Sequence, residues 1–212
     1  MKLLVFGATG GTGQAVLEQA IARGDGVTAF VRRPEALAEV SGAAGDRLRI
    51  QPGDVRDAEA VRAITPGHDA VISALGAGLG KSDLREVGTR HIIEAMRAAG
   101  LRRLISVSSL GIGASRDNMP GLVRWVIVPL ILRHGFADHE RQEQVIRDSG
   151  LDWTIVRPAG LTNGAHTGVY QQGFPPGHTR IRGQISRADV ADFMLKALDD
   201  TTTIGQAVGL SY

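Results

Sequence analysis

Short apolar runs alternate with amphipathic stretches along nearly the whole chain. Leu3–Phe6, Val27–Val31, Leu48–Gln51, Leu104–Ser109, Leu151–Val156 and Gln206–Leu210 have the length and β-branched content of buried strands, and Asp69–Gly76 reads as a further strand with its outgoing turn. Between them the period lengthens to that of a helix. Val16, Ala20 and Ile21 fall on one face of a helix that stops at Gly24. Further helices are expected after Pro34, from about Asp57 to Ile64, from about Asp83 to Ala99, and from Ser186 to about Leu198. Ser186 is placed as an N-terminal cap, its oxygen reaching backbone N–H groups. Strand and helix in this alternation predict an α/β fold: a single Rossmann-type, doubly wound parallel sheet with helices on both faces.

Two stretches depart from the alternation. From Met119 to Ser149 the pattern is helical but interrupted by Pro129, with Trp125, Val128 and Leu132 at helical spacing for either core packing or a dimer surface. From Ala159 to Gly183 there is little periodicity, with six glycines and the adjacent Pro175 and Pro176. A long irregular segment in a compact domain is often functional, so residues 159–184 are assigned to the substrate side.

The chemistry starts at the first strand. Leu3–Phe6 runs directly into Gly7-Ala8-Thr9-Gly10-Gly11-Thr12-Gly13 and then into a helix. Strand, glycine turn and helix start are the parts of a dinucleotide-binding unit. Gly7 makes the turn, Gly10 lets backbone approach a diphosphate, and Gly13 lets helix pack on strand. The first-turn N–H groups lack backbone acceptors and suit a phosphate. At the end of the second strand, where an acidic residue would bond a ribose 2′-hydroxyl, stand Arg32 and Arg33. Guanidinium groups there favour a 2′-phosphate, hence NADP(H). Arg32, Asp54, Ser73–Gly76 and Ser108–Ser109 share the carboxyl edge of the predicted sheet with the glycine turn. The Gly76–Gly80 piece is either a loop over the cofactor or a plain connection.

Composition narrows the class. A chain of 212 residues with 43% apolar and 22% charged residues is large enough for a real core and reads as one domain, 1–212. The net charge of +2 carries no basic stripe interleaved with aromatics, so no nucleic-acid partner is expected. The absence of cysteine removes disulfides, thiolate metal sites and a Cys nucleophile. The scattered His134, His166 and His178 point to no metal. Trp125–Leu132 is the longest apolar stretch, far below the roughly 20 residues that span a bilayer. No membrane partner and a cytoplasmic address are expected, as monomer or homodimer.

Six blocks in order resemble the atypical short-chain dehydrogenase/reductase superfamily over nearly the full chain. They are Gly7–Gly13, Gly53-Asp54-Val55, Gly88–Ala95, Val107-Ser108-Ser109, Ser149–Pro158 and Ile185–Ala191. The branch is similar to the NAD(P)H-binding proteins that include biliverdin reductase B (flavin reductase) and the NmrA-like proteins. The resemblance implies that Gly11 and Thr12, with Thr9 in the same turn, bond the diphosphate. Arg32, with Arg33 beside it, meets the 2′-phosphate. Asp54 and Val55 flank the adenine, and Ser73, Ala74, Leu75 and Gly76 line the ribose side. Ser108 and Ser109 end strand five near the nicotinamide, and Pro158 with the backbone after it contacts the nicotinamide amide.

The departures matter as much. Aligned on Glu143 and Ser149–Pro158, the superfamily's Tyr and Lys fall on Gly135 and His139, and the histidine of the biliverdin reductase branch falls on Gly160. Tyr170 and Tyr212 lie elsewhere. Reducing an isolated ketone makes an alkoxide that needs a positioned acid, whereas a conjugated acceptor spreads the charge and takes its proton from solvent. The expectation is an NADPH-dependent reductase of a flavin-like, quinone-like or tetrapyrrole-like planar acceptor. Ser109 and His139 are its candidate catalytic residues, with a solvated helix-face histidine as the alternative for His139. A non-catalytic NADP(H)-binding redox sensor of the NmrA-like type is the rival. A sugar-nucleotide epimerase is a third reading, for which the chain leaves little room.

Overall fold

Each of the seven runs expected as strands contributes a strand to one sheet in the computed structural model, which describes residues 1–77, 80–118, 133–174, 178 and 183–212. In chain order the elements are β1 (Lys2–Phe6), α1 (Gly11–Arg23), β2 (Gly26–Val31), α2 (Ala38–Ala44), β3 (Leu48–Pro52), α3 (Ala58–Ile64) and β4 (Ala70–Ser73). There follow α4 (Leu84–Ala98), β5 (Arg103–Val107), α5 (Arg133–Arg147), β6 (Asp152–Pro158), β7 (Gly160–Thr162), β8 (Gln171–Gln172), β9 (Gln184–Ser186), α6 (Arg187–Asp199) and β10 (Gln206–Ser211). The sheet order is β3-β2-β1-β4-β5-β6-β10-β8. All pairings in it are parallel except β10 with β8.

Alternate residues of β1 explain why it reads as a continuous apolar run. Leu3 and Val5 enter one core with Val16, Leu17 and Ala20 of α1 and Val190 and Met194 of α6. Leu4 and Phe6 enter a second core with Val61 of α3, Ile92 and Met96 of α4 and Ile146 of α5. A strand covered on both faces has no polar side to show. Helix ends follow the local chemistry. Asp57 Oδ1 accepts from the amides of Glu59 and Ala60 at the start of α3, Ser186 Oγ accepts from the Asp189 amide at 3.0 Å, and Gly24 closes α1 in the left-handed region.

Three expectations change. The sheet is not wholly parallel, because β8 adds an antiparallel edge strand to β10. The segment 159–184 is not without structure: β7 and β9 pair in parallel as a separate two-stranded sheet. Their few residues each are too short to show a periodicity in sequence. Strand five ends at Val107, leaving Ser108 and Ser109 beyond it, and strand six runs on through Pro158. The Trp125, Val128, Leu132 face, the break at Pro129 and the Pro175-Pro176 pair lie outside the described residues. Among the described residues no helix is long and apolar enough to cross a membrane.

Candidate functional site

The strand order reverses between β1 and β4, which opens a crevice at their carboxyl ends. Gly7 leaves β1 with φ +78°, and a Cβ there would lie 2.3 Å from the Ala74 carbonyl oxygen. A Cβ on Gly13 would lie 2.2 Å from the Gly7 oxygen. Both positions exclude any side chain, so the turn is folded tightly against the end of β4. Gln14 N donates to Gly10 O at 2.8 Å as the first bond of α1. The amides of Gly11, Thr12 and Gly13 precede it and have no acceptor within the helix. Thr12 is 8% exposed, and its hydroxyl makes no hydrogen bond among the described residues.

A cleft of about 270 Å³ runs from this turn across the strand ends. Of the expected residues, Gly7, Thr9, Gly10, Arg32, Arg33, Val55, Ala74, Leu75 and Gly76 line it. Phe6, Phe30, Val31, Gly53 and Leu84 line it too, and sequence reasoning passed over all but Gly53. The Phe30 ring lies where a Cβ on Gly53 would be, 2.2 Å from it, and stands edge-on to Phe6 with centroids 5.5 Å apart. These rings give the far end of the cleft an apolar wall. Arg32 and Arg33 are exposed at its rim, and neither is paired with a carboxylate among the described residues. Asp54 is not in the cleft lining, and its Oδ1 accepts from the Arg56 amide at 2.9 Å. Gly11, Thr12 and Gly13 lie in the first turn of α1, just beyond the cleft lining.

The other expected residues sit just past β5, at the end of β6 and on α5. Ser108 is buried and its hydroxyl donates to Glu143 Oε1 at 2.7 Å. Glu143 also accepts from Arg157 and, through Oε2, from Arg147. Burial alone would raise the Glu143 carboxyl, but these donors together hold it below its ordinary value. Ser109 Oγ donates locally to the Leu110 carbonyl at 3.2 Å. Pro158 O accepts from Leu110 N, Ala159 N donates to Leu210 O and Gly160 N to Gly183 O, so these backbone groups already have partners within the fold.

His139 is half-buried rather than on a solvated helix face. Burial, aided by the nearby Arg85 guanidinium, pushes its imidazole down to about 4. Nδ1 faces Gln142 Oε1 at 3.3 Å, and Gln142 Nε2 donates in turn to Thr89 and Ser106. His139 is therefore neutral at physiological pH and cannot supply the fixed positive charge of a lysine, nor act as a strong acid there. Both tyrosines are committed as well. Tyr170 donates to Asp192 and Tyr212 to Asp189, each at 2.6 Å. Asp189 also accepts from Thr167 and the Gly168 amide. Against the upward pull of burial, these bonds bring the Asp189 carboxyl down to about 2. Tyr170, with Thr167 and Gly168, and Tyr212 are thus tied to the carboxylates of α6. Among the described residues no group of His, Asp and Glu is arranged to hold a metal.

A family model described as NAD(P)H-binding matches residues 7–201. The sterol demethylase protein B of Methylococcus capsulatus is 33% identical over 175 residues, covering 76% of this chain and 52% of that protein. The chain thus spans about half the length of that relative. An uncharacterized sugar epimerase of Bacillus subtilis, YhfK, is 30% identical over 217 residues, covering 100% of this chain and 94% of its own. Among solved structures, ChuY, described as an anaerobillin reductase from Escherichia coli O157:H7, superimposes with a TM-score of 0.80 at 28% identity, covering 100% of this chain and 97% of its own.

Proposed function

The chain belongs to this NAD(P)H-binding family, within the atypical short-chain dehydrogenase/reductase superfamily, and we propose that it is an NADPH-dependent reductase of a conjugated planar acceptor. The observation that carries the reading is the pairing of a built dinucleotide cleft with the absence of a tyrosine acid. The cleft has the glycine cradle, in which a Cβ at Gly13 would meet backbone, and two carboxylate-free arginines at its rim. Arg32 and Arg33 would hold the 2′-phosphate, the first turn of α1 with Thr12 the diphosphate, and Ala74–Gly76 the ribose beyond it.

When bound, NADPH supplies the hydride. The chain's own residues position the rings and exclude water. Among the described residues the candidate donors are engaged elsewhere: Tyr170 and Tyr212 are bonded to carboxylates, His139 is neutral and Ser109 bonds its neighbour. An acceptor that delocalises the incoming electron pair and takes its proton from solvent suits such a site. Flavins, quinones and open-chain tetrapyrroles share that property, and the likeness to an anaerobillin reductase favours the last.

Incubation of the protein with NADPH and FMN, riboflavin, a quinone or a linear tetrapyrrole tests this by the decay of NADPH absorbance. Turnover with one of them is expected. Tight NADPH binding without turnover of any acceptor would instead support the redox-sensor reading.

A further inference from the structure

We propose that Arg187 is a second cationic grip on the cofactor, closing over the diphosphate from the α6 side. The inference rests on the dinucleotide reading above and adds a positioning residue to it.

Arg187 is the first residue of α6, far from the glycine turn in sequence. In space its side chain lies on Gly11. A Cβ there would be 2.7 Å from Arg187 Cδ, 3.1 Å from Nε and 3.9 Å from the guanidinium carbon. Glycine at position 11 is thus what admits the arginine to the first turn of α1. The placement is fixed by the packing of α1 against α6, which Gln19 Nε2 fastens with a 2.8 Å bond to the Ala188 carbonyl. Arg187 Nη1 donates to the neutral amide oxygen of Asn163 at 2.6 Å, which ties the guanidinium in place beside Gly11. Among the described residues no carboxylate pairs with it.

A cation at the amino end of a helix is placed against the helix dipole, and among the described residues no carboxylate neutralises it. An anion lodged between the guanidinium and the α1 amides would satisfy both. The diphosphate is the anion that the adjacent Gly10 and Thr12 would deliver to that point. Gly11 thus has a use beyond offering its amide to the diphosphate: room for Arg187.

The test is a titration of the wild-type chain, Arg187→Gln, Arg187→Lys and Arg32→Ala with NADPH and with adenosine 2′-monophosphate, which lacks the diphosphate. Thermal unfolding establishes that each variant is folded. Loss of a charge-assisted bond predicts NADPH binding about tenfold weaker or more in Arg187→Gln, with adenosine 2′-monophosphate within about twofold of wild type. Arg187→Lys should fall between, and Arg32→Ala should weaken both ligands. NADPH affinity unchanged in Arg187→Gln would overturn the inference while leaving the cofactor reading intact. An unchanged NADPH affinity with a raised KM for FMN but not riboflavin would also overturn it, moving Arg187 to the acceptor's phosphate. Failure of the wild-type chain to bind NADPH would remove the cofactor reading itself, and the inference with it.

Discussion

Glu143 Oε2 lies 2.6 Å from Arg157 Nη2, and the two side chains are 3% and 6% exposed. The pair joins α5 to the end of β6, and Ser108, just past β5, donates its hydroxyl into the same carboxylate. A buried carboxylate between two arginines and a serine fixes the backbone at the two strand ends nearest the expected nicotinamide position. Removing one partner strands a buried charge. Glu143→Leu is expected to cost about 3–5 kcal/mol, and the Glu143→Leu/Arg157→Met double variant markedly less than the sum of its singles. Urea unfolding of the four proteins measures the coupling. Simple additivity would mean that the pair is not the unit described.

Cofactor choice should lie in Arg32. Its replacement by alanine is expected to weaken NADPH about 10- to 100-fold while NADH affinity barely moves, because only the 2′-phosphate loses a charged donor. Parallel fluorescence titrations with the two coenzymes decide this. An equal loss for both would place Arg32 outside the 2′-phosphate site.

Gly13→Ala puts a methyl group 2.2 Å from the Gly7 carbonyl and 2.7 Å from Ala8 Cα. Backbone on both sides cannot yield as a flexible side chain would. The expected outcome is a loss of about 1–3 kcal/mol of stability together with NADPH binding, since the turn and α1 must separate. A thermal melt with and without NADPH reads both effects, and a variant that binds normally would refute the close approach.

His139 should make the fold acid-sensitive. Its ordinary pKa of 6.5 falls to about 4 in the native state. As pH drops below 6.5 the unfolded chain takes up a proton there that the folded chain refuses until about 4, so stability falls across that window. His139→Gln should flatten this part of the profile. Urea midpoints at pH 7 and pH 5 for both proteins test it. An equal acid loss in the variant would assign the sensitivity elsewhere.

Tyr170→Phe and Tyr212→Phe should leave turnover with a planar acceptor within about twofold, because both hydroxyls are bonded to α6 carboxylates. Tyr212→Phe should lower stability by roughly 1 kcal/mol, the net worth of a hydrogen bond, more if Asp189 loses its hold on Thr167. A collapse of turnover in either variant with stability kept would show a tyrosine acid after all.

The glycine turn, the strands flanking it and the arginines after β2 were legible along the chain, since each depends on neighbours within a few residues. A strand buried on both faces must be apolar throughout, and a turn folded onto its own helix must be glycine, whatever else the protein contains. The loss of the tyrosine and lysine was legible too, as Gly135 and His139. What linear order hides is which distant groups meet. Ser108 is read as a cofactor-side residue, and only the fold shows that its hydroxyl goes to Glu143; that Asp54 Oδ1 accepts from the Arg56 amide is likewise seen only in the structure. His139 reads as a candidate catalytic residue or a solvated helix-face histidine, and only the fold shows that burial and Arg85 keep it neutral. Arg187 belonged to a recognised block without a role until α6 packed on α1 and laid it across Gly11. Local backbone geometry and burial pattern are written in the sequence itself; the protonation of a side chain and the partner it finds depend on what the tertiary fold brings within a few ångströms of it.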